Sequence, residues 1–398
     1  MRAGSFLAGA AALLAVLAAG MWLGGHPAKM PPPLRDAFVS DTGGVTVEAT
    51  ELIEDNYYRE VSSQELSNAS LQGMARVLRR RYDDRFSEYL SPEVLKRFNE
   101  AISGRFSGIG LSVTGVARGL RVEHVFRRSP AERAGIDVGD RIVSVNGRPI
   151  AGLSATAATE LIKGPDGTDV TIGVVGPGKA RPRQVTLTRA EIAIPVVTQR
   201  IVKRAGRTLG YVRLATFSEG AHAFLRRAVS RVLREGAEGI VLDLRANGGG
   251  LFQEAVLTAS IFLPEGTLVV TTKSRTQGAS RFEAVGDSLP PLPIVVLIDR
   301  NTASAAEILA AALADEAGAE VVGRKSFGKG VFQQEIDLSN DGALKLTVGE
   351  YFTPDGTNLG GNGIRPDSPA SDRPGTRRDE GISRALEVLA SKLEQGQG

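Results

Sequence analysis

The spacing of apolar residues divides the chain into three segments that differ in their predicted secondary structure. Between residues 34 and 103, the stretches EATELIEDNYY, SLQGMARVLRRRY and SPEVLKRFNEAI carry apolar residues at i, i+3 and i+4, a spacing typical of amphipathic helices. Between residues 104 and 190, short apolar runs alternate with glycines around one helical stretch, SATAATELIKG, which predicts short strands joined by tight turns. Between residues 194 and 367, strand-like and helical runs alternate, a pattern typical of an α/β core.

The alternation within the last segment predicts individual elements. A helix is expected from Ala221 to Arg234, a buried strand from Leu292 to Ile298, and an Ala-rich helix directly after that strand. A final amphipathic helix, GISRALEVLASKL, follows a polar stretch that begins after Pro369. The expected fold is therefore α/β and multidomain, with a helical N-terminal region.

The N-terminus has a different character from the rest of the chain. After Arg2, the stretch FLAGAAALLAVLAAGMWLGG contains apolar or small residues and no charge, and a Pro-rich tether follows it. Such a segment is a secretory signal peptide or an uncleaved signal-anchor, and its length suffices to cross a bilayer. The interfacial position of Trp22 favours an anchor formed by residues 6–25. We expect the remainder to be exported to the periplasm or cell envelope.

A chain of 398 residues accommodates two or three domains. Together with the predicted secondary structure, this length indicates five regions, which include the terminal segments. These regions are a signal or anchor with its tether (1–33), an N-terminal helical region (34–103), a middle domain (104–192), an α/β core (193–370) and a polar tail ending in a helix (371–398).

Composition excludes several classes of chemistry. The chain has no cysteine, which rules out disulfides, thiol catalysis and Cys-based zinc sites. Its three histidines lack metal-like spacing, so we expect neither a metal nor a cofactor. The net charge of +3 comes from scattered arginines and not from a basic block with interleaved aromatics, so nucleic acid is not an expected partner.

One hydroxyl, that of Ser304, lies where the predicted strand Leu292–Ile298 gives way to the Ala-rich helix. Ser304 and Glu307 fit the S-x-x-E capping box, in which serine satisfies a free helix N–H and glutamate reaches back. The same position could instead present a nucleophile from a strand-to-helix turn. The motif alone favours the cap.

A serine nucleophile needs a base, and histidine is a poor candidate here. His26 lies beside the apolar segment, His124 in a strand of the middle domain, and His222 at a helix start without a catalytic neighbour pattern. The signatures G-D-S-G-G and G-x-S-x-G are both missing. Lysine can replace histidine when burial lowers its pKa. Lys329 lies between two glycines in GRKSFGKG, while Lys325, the competing base, lacks flanking glycines.

The middle domain resembles a PDZ domain. The run Gly108-Ile109-Gly110-Leu111 is similar to the carboxylate-binding loop of that family, whose backbone N–H groups hold the end of a peptide. The family's helix-then-hairpin segment is matched by SPA at 129–131, AGI at 134–136, GD at 139–140 and VNG at 145–147. PDZ domains occur in scaffolds and in proteases, so this domain leaves two classes open, a peptide-binding adaptor and an enzyme that selects chain ends.

The chain from about Leu34 to Leu393 resembles the carboxy-terminal processing peptidases, or tail-specific proteases. The motifs that carry the resemblance are DRFSEYLSP, GRFSGIG, IKGPDGT, GYVRLATF, VLDLRANGGG, NTASAAEILAAAL, GRKSFGKGVFQ and YFTPDGTNLGGNGIRPD. The resemblance implies a crotonase-like, ClpP-like spiral core with an inserted PDZ domain.

The resemblance also assigns the site residues. It implies that Ser304 is the nucleophile, Lys329 the general base and Gln333 its supporting residue, with the backbone N–H groups of Ala305 and Gly250 holding the oxyanion. Local sequence agrees, because Ala305 begins a helix and Gly250 ends a glycine triplet after a buried strand. The expected activity is serine endopeptidase cleavage near the C-termini of exported proteins whose apolar tails the PDZ groove selects.

Two motifs depart from the family pattern, and one rival function stays open. Asn-Gly-Gly-Gly at 247–250 replaces Asn-Pro-Gly-Gly, which should loosen that loop, and Asp-Arg-Phe-Ser at 84–87 replaces Asp-Pro-Tyr-Ser, which affects only local packing. The rival is a catalytically silent PDZ scaffold on the same fold. The sequence decides neither whether the chain forms a homo-oligomer nor whether it needs an adaptor.

Overall fold

The computed structural model describes residues 41–179, 181–371 and 379–395, so the predicted signal or anchor segment and tether lie outside the described residues. The chain forms two compact units. The first contains the described residues of Met1–Pro92 together with Gln334–Thr347, and the second contains Glu93–Gln333 and the described residues of Val348–Gly398. Among the described residues, no helix is both long and apolar enough to cross a membrane.

The first unit confirms the predicted N-terminal helices. It contains α1 (Asp41–Asn56), α2 (Ser63–Tyr82) and the short strand β1 (Glu88–Leu90). The α2 helix begins after Ser62, whose hydroxyl accepts the Glu65 N–H at 3.2 Å. Of the apolar side chains described on α1 and α2, only that of Ala75 is buried, so these helices expose much apolar surface.

The Asp-Arg-Phe-Ser segment holds the end of the first unit together through one carboxylate. Asp84 accepts hydrogen bonds from the backbone N–H groups of Phe86 and Ser87, from the Ser87 hydroxyl and from the Thr347 hydroxyl. Burial raises the pKa of Asp84, but the four hydrogen bonds together lower it by more. The pKa of Asp84 therefore lies below its usual value. The aspartate and serine retained from the family pattern therefore make these contacts without the proline and tyrosine.

The middle domain lies in the second unit, after α3 (Pro92–Ser103), which has a proline at its first position. Its elements are β2 (Arg105–Gly108), β3 (Leu111–Val116), β4 (Gly119–Val125), α4 (Pro130–Arg133), β5 (Arg141–Val145), β6 (Arg148–Pro149), α5 (Ala155–Ile162), β7 (Asp169–Val175), β8 (Arg183–Thr188) and β9 (Ala190–Ala193). The main sheet has the order β3-β4-β5-β7-β8, and a separate ladder joins β2 to β9.

The α/β core follows in the same unit, and it confirms the predicted fold class. Its elements are β10 (Val197–Arg204), β11 (Arg207–Leu214), α6 (Ala221–Arg234), β12 (Ile240–Asp243), α7 (Phe252–Ala259), β13 (Leu268–Ser274), β14 (Gly278–Glu283), β15 (Ile294–Ile298), α8 (Ala305–Ala317), β16 (Glu320–Gly323), β19 (Ser368–Pro369) and α9 (Glu380–Gln395). Two strands, β17 (Val331–Asp337) and β18 (Ala343–Phe352), contain residues of both units.

The central sheet of the core has the order β10-β11-β12-β15-β16-β19, and it is parallel from β11 onward. All residues of β12 and β15 are buried, as expected for parallel strands covered on both faces. Successive residues face opposite sides. Leu242 packs in a cluster with α6 and α8, while Val241 packs in a second cluster with α9. Apolar burial on both faces therefore fixes the strand ends that carry the site.

Two element boundaries test the sequence reasoning. The α6 helix has the bounds predicted for it. The strand expected to begin at Leu292 begins at Ile294 instead. Pro293 has no amide hydrogen to donate to the ladder, although its carbonyl accepts the Ile240 N–H at 3.0 Å. The strand therefore begins one residue after Pro293, although the Pro293 carbonyl still pairs with the neighbouring strand.

Candidate active site

The predicted catalytic residues lie beyond the carboxyl ends of three adjacent parallel strands. The β12 strand leads into the glycine triplet at 248–250, β15 leads into Ser304, and β16 leads into the loop that carries Lys329. Adjacent parallel strands end at the same edge of a sheet, and loops at that edge commonly form sites in α/β folds. The topology thus brings together segments that are far apart in the sequence.

Ser304 occupies the turn between β15 and α8 in a strained backbone conformation. Its φ of 58° and ψ of −122° lie outside the regions that non-glycine residues favour. Ser304 and Glu307 are paired across the first turn of α8, as the S-x-x-E pattern predicts. The Ser304 N–H donates to Glu307 Oε2 at 2.9 Å, and the Glu307 N–H donates to the Ser304 carbonyl at 2.8 Å. The serine itself is half-buried.

A single buried carboxylate joins the serine turn to the lysine loop. Glu307 is fully buried, and its Oε2 accepts the N–H groups of both Ser304 and Lys329 at 2.9 Å each. Its Oε1 accepts the Gly328 N–H at 2.7 Å and the Ser326 hydroxyl at 2.5 Å. The backbones of Ser304 and Lys329 are thus held against the same oxygen atom. The sequence analysis assigned Glu307 to the cap alone and missed this role.

Lys329 and Lys325 have different surroundings, although they belong to the same loop. Lys329 is half-buried, and its Nζ donates to Gln333 Oε1 at 2.7 Å, as the predicted pairing of these two residues requires. Lys325 is exposed, and its Nζ contacts the Gly361 carbonyl at 3.5 Å. Only Lys329 therefore combines partial burial with an oriented amine.

Close backbone packing explains the glycines that flank Lys329. A Cβ on Gly330 would lie 2.2 Å from the nitrogen of Gly360, and one on Gly328 would lie 3.0 Å from the nitrogen of Gly363. The Gly361 N–H also donates to the Gly328 carbonyl at 3.0 Å. The glycine-rich loop near residue 360 thus supports the lysine loop from behind, and only residues without a side chain fit there.

The two predicted oxyanion donors are both available. In the part of the chain that the structure describes, neither the Gly250 N–H nor the Ala305 N–H has a hydrogen-bond acceptor. The two segments touch, because a Cβ on Gly249 would lie 2.9 Å from Ser304 Cβ and 3.0 Å from Ala305 N. Ala305 is also the first residue of α8, where the helix dipole favours negative charge. The geometry suits stabilisation of an oxyanion beside Ser304.

The glycine triplet offers a matched pair of substitutions. Gly250 has a φ of 145°, and a Cβ there would lie 2.4 Å from the Phe217 carbonyl oxygen, whereas a Cβ on Gly248 would meet no atom of the described residues within 4 Å. We expect Gly250→Ala to displace the predicted oxyanion N–H and lower kcat by about 100-fold or more, the usual loss for one such donor. Gly248→Ala should retain kcat within about twofold, since it strains nothing. Steady-state peptide cleavage measures both, and equal rates for the two variants would exclude Gly250 from the oxyanion site.

The predicted tail-binding loop lies between β2 and β3. Gly110 has a φ of 82°, and a Cβ there would lie 2.2 Å from Ser129 Cβ, so the glycine is required. The N–H groups of Ile109 and Gly110 have no acceptor among the described residues. Leu111 begins β3, which is an edge strand of its sheet beside α5. Free N–H groups leading into an open strand edge are the features that hold a peptide terminus.

The described histidines lie away from these residues in the sequence and make other contacts. His124 is on β4 and packs edge-on against Phe126. His222 is in the first turn of α6, and both its backbone N–H and its ring Nδ1 contact the buried Glu254 at 2.9 Å. His26 lies outside the described residues. The prediction that His222 starts a helix is confirmed, but its pairing with Glu254 left no signal in the sequence spacing.

The segment after β12 is fixed by charge. Arg245 donates to Asp243 at 2.8 Å and to Asp379 at 2.9 Å, and the Ala246 N–H donates to Asp299 at 3.0 Å. Burial lowers the pKa of Arg245, but the two partner carboxylates raise it by more, so the guanidinium stays charged. This network anchors the start of the loop that carries the glycine triplet.

Comparison with known proteins extends over most of the chain. Residues 208–370 match the model of peptidase family S41, and residues 121–176 match that of the PDZ domain. The chain is 35% identical over 320 residues to the carboxyl-terminal-processing protease of Synechocystis sp., covering 79% of this chain and 74% of that one. It is 34% identical over 322 residues to the carboxy-terminal-processing protease of Bartonella bacilliformis, covering 80% and 72%.

A solved structure of a C-terminal processing protease has a similar fold. The photosystem II D1 C-terminal processing protease aligns with a TM-score of 0.50 at 30% identity, over 87% of this chain and 97% of that one.

Proposed function

Because this chain belongs to peptidase family S41, the carboxy-terminal processing proteases, and is a serine-type peptidase, we propose that Ser304 and Lys329 form its catalytic dyad. The observation that carries the proposal is the shared Glu307 oxygen, which accepts the backbone N–H groups of both residues. The N–H groups of Gly250 and Ala305, which have no acceptor among the described residues, add to it. A silent scaffold would not need this arrangement.

The geometry supports an acyl-enzyme mechanism. Ser304 Oγ attacks the peptide carbonyl while its proton passes to neutral Lys329 Nζ. The resulting oxyanion accepts hydrogen bonds from the Gly250 and Ala305 N–H groups. Lys329 then returns the proton to the leaving amine, and water attacks the acyl-enzyme by the same route. Gln333 Oε1 accepts a hydrogen bond from the lysine and keeps its amine oriented towards this task.

The PDZ domain supports selection of the substrate by its C-terminus. An exported protein with an apolar tail would add as a strand to β3, with its terminal carboxylate bound by the loop at Gly108–Leu111. The apolar N-terminal segment of residues 6–25 would place this reaction at the membrane surface. A homo-oligomer and a separate adaptor are compatible with the same proposal.

A pair of peptides that differ only at the C-terminus tests the selection. We expect a peptide with a free apolar C-terminus to have a kcat/KM about tenfold higher than its amidated form, since a charge-assisted hydrogen-bonded group contributes about 1.5–3 kcal/mol. Binding of both peptides to Ser304→Ala, measured by fluorescence anisotropy, separates recognition from cleavage. Equal kcat/KM for the two forms would show that the groove does not read the terminus.

A further inference from the structure

The hydroxyl of Tyr351 is a buried polar group without a hydrogen bond. Tyr351 lies near the end of β18 and is 1% exposed, and its hydroxyl oxygen has no hydrogen-bond partner in the part of the chain that the structure describes. A buried polar group left unpaired is destabilising, and nearly all such groups in native proteins are paired. The hydroxyl therefore contributes nothing to the stability of this state that a phenylalanine would not.

Tyr351 is fixed next to the catalytic elements through its backbone. Its N–H donates at 3.1 Å to the carbonyl of Gly330, the residue after Lys329. Its side chain belongs to the same apolar cluster as Ala305, the residue after Ser304. The backbone of Tyr351 is thus tied directly to the loop that carries Lys329.

The Ser304 hydroxyl is the polar neighbour of this phenol. The two hydroxyls are near enough to influence each other, although they do not meet the geometry of a hydrogen bond in this structure. Burial raises the pKa of Tyr351, the Ser304 hydroxyl opposes this, and the charge of Glu307 adds to it, with a net increase. The phenol therefore keeps its proton at any pH at which the enzyme works, and it can act as a neutral donor.

The Ser304 and Tyr351 side chains differ in their freedom to move. Ser304 is half-buried, and its side chain has three staggered rotamers at χ1. The Tyr351 oxygen has no alternative partner among the described residues. A serine rotamer that brings Oγ within hydrogen-bond distance would give the buried phenol its partner.

We propose that Tyr351 is a positioning residue for the nucleophile, and that its phenol donates a hydrogen bond to Ser304 Oγ when substrate is bound. This inference rests on the proposed role of Ser304. The bond fixes the oxygen in one rotamer and leaves the serine proton directed at Lys329 Nζ. During attack, the Oγ–carbonyl carbon bond forms and the serine proton moves to Lys329, while the tyrosine retains its own proton throughout.

The test is Tyr351→Phe, which removes one oxygen atom and preserves the packing. We expect kcat to fall about tenfold, the effect of losing one hydrogen bond that is made in the transition state, while KM changes by less than twofold. The loss should be equal at every pH, because a phenol that does not titrate cannot shift the profile. The melting temperature should stay the same or rise, since the variant loses an unpaired buried group. The rate of labelling by a fluorophosphonate probe should fall in parallel with kcat.

Tyr89→Phe provides the matched control. Tyr89 is also buried, but its hydroxyl is bonded to Asn68 at 2.8 Å and to Asn340 at 2.9 Å in the first unit. This variant should lose stability and keep kcat, the reverse of the pattern expected for Tyr351→Phe. Circular dichroism melts and steady-state kinetics on the full chain measure both.

The outcomes separate this inference from the dyad on which it rests. If Ser304→Ala is inactive and Tyr351→Phe is slowed in kcat alone, the inference is supported. If Ser304→Ala is inactive and Tyr351→Phe cleaves within twofold of the unaltered enzyme, or changes only in KM, Tyr351 does not position the serine and the dyad stands. If Ser304→Ala retains activity, the dyad is wrong and the role of Tyr351 falls with it.

Discussion

Lys329→Ala and Ser304→Ala should each reduce peptide cleavage to background, and the double variant should be no slower than either one. Residues that act as one unit give losses that do not add. Lys329→Arg should be equally inactive, because a guanidinium keeps its positive charge but cannot accept the serine proton. Steady-state kinetics on a C-terminal peptide give these values, and unchanged melting temperatures would show that each variant still folds.

Lys325→Ala is the control for the lysine, since it removes an exposed amine from the same loop. It should retain kcat/KM within about twofold, as surface substitutions generally do. In the unaltered enzyme, kcat/KM should rise with pH as the lysine loses its proton and then level off. An active arginine variant would show that Lys329 supplies a fixed charge, and an inactive Lys325→Ala would make that residue the base.

Glu307→Ala should impair both activity and stability. It would leave the N–H groups of Ser304, Gly328 and Lys329 and the Ser326 hydroxyl without their shared acceptor. Each buried donor left unpaired costs about 1–3 kcal/mol, so the free energy of unfolding should fall by several kcal/mol. A displacement of roughly 1 Å between nucleophile and base is enough to lower kcat about 100-fold. Urea unfolding and peptide cleavage give the two quantities.

Glu307→Gln refines this prediction, because an amide has one acceptor oxygen and cannot serve both halves of the network. It should fold better than the alanine variant but still lose most activity. Glu316→Ala, an exposed change on the same α8 helix, should alter neither quantity. Full activity in Glu307→Gln would mean that the serine and lysine loops are aligned without this carboxylate.

Local patterns were enough to predict much of the fold. The alternation of apolar and polar residues predicted the bounds of the α6 helix, Ala221 and Arg234, as the structure has them. The predicted catalytic and oxyanion residues came from motifs and from family resemblance. Residues 334–347 could not be assigned this way. They fall inside the predicted core in sequence, yet they belong to the first unit, since β1 pairs with residues 343–345.

The roles of Glu307 and Tyr351 could not be predicted from the sequence, and the physical reason is the same for both. The S-x-x-E pattern at Ser304 fits an ordinary cap, and it contains no information about the loop whose N–H groups Glu307 also accepts. Tyr351 lies in a quoted motif, but the alternation of apolar and polar residues does not tell where a hydroxyl will point. Both roles depend on contacts between segments far apart in the chain, which only the folded structure brings together.

The distribution of the site over separate loops affects the activity of the chain before it folds. The proposed nucleophile, the proposed base and the Gly250 N–H follow three different strands, and one buried carboxylate accepts N–H groups from the first two residues. A newly made chain holds all three groups, but they are far apart until the sheet forms. On the proposed dyad, an unfolded chain therefore has no assembled site with which to cleave its neighbours.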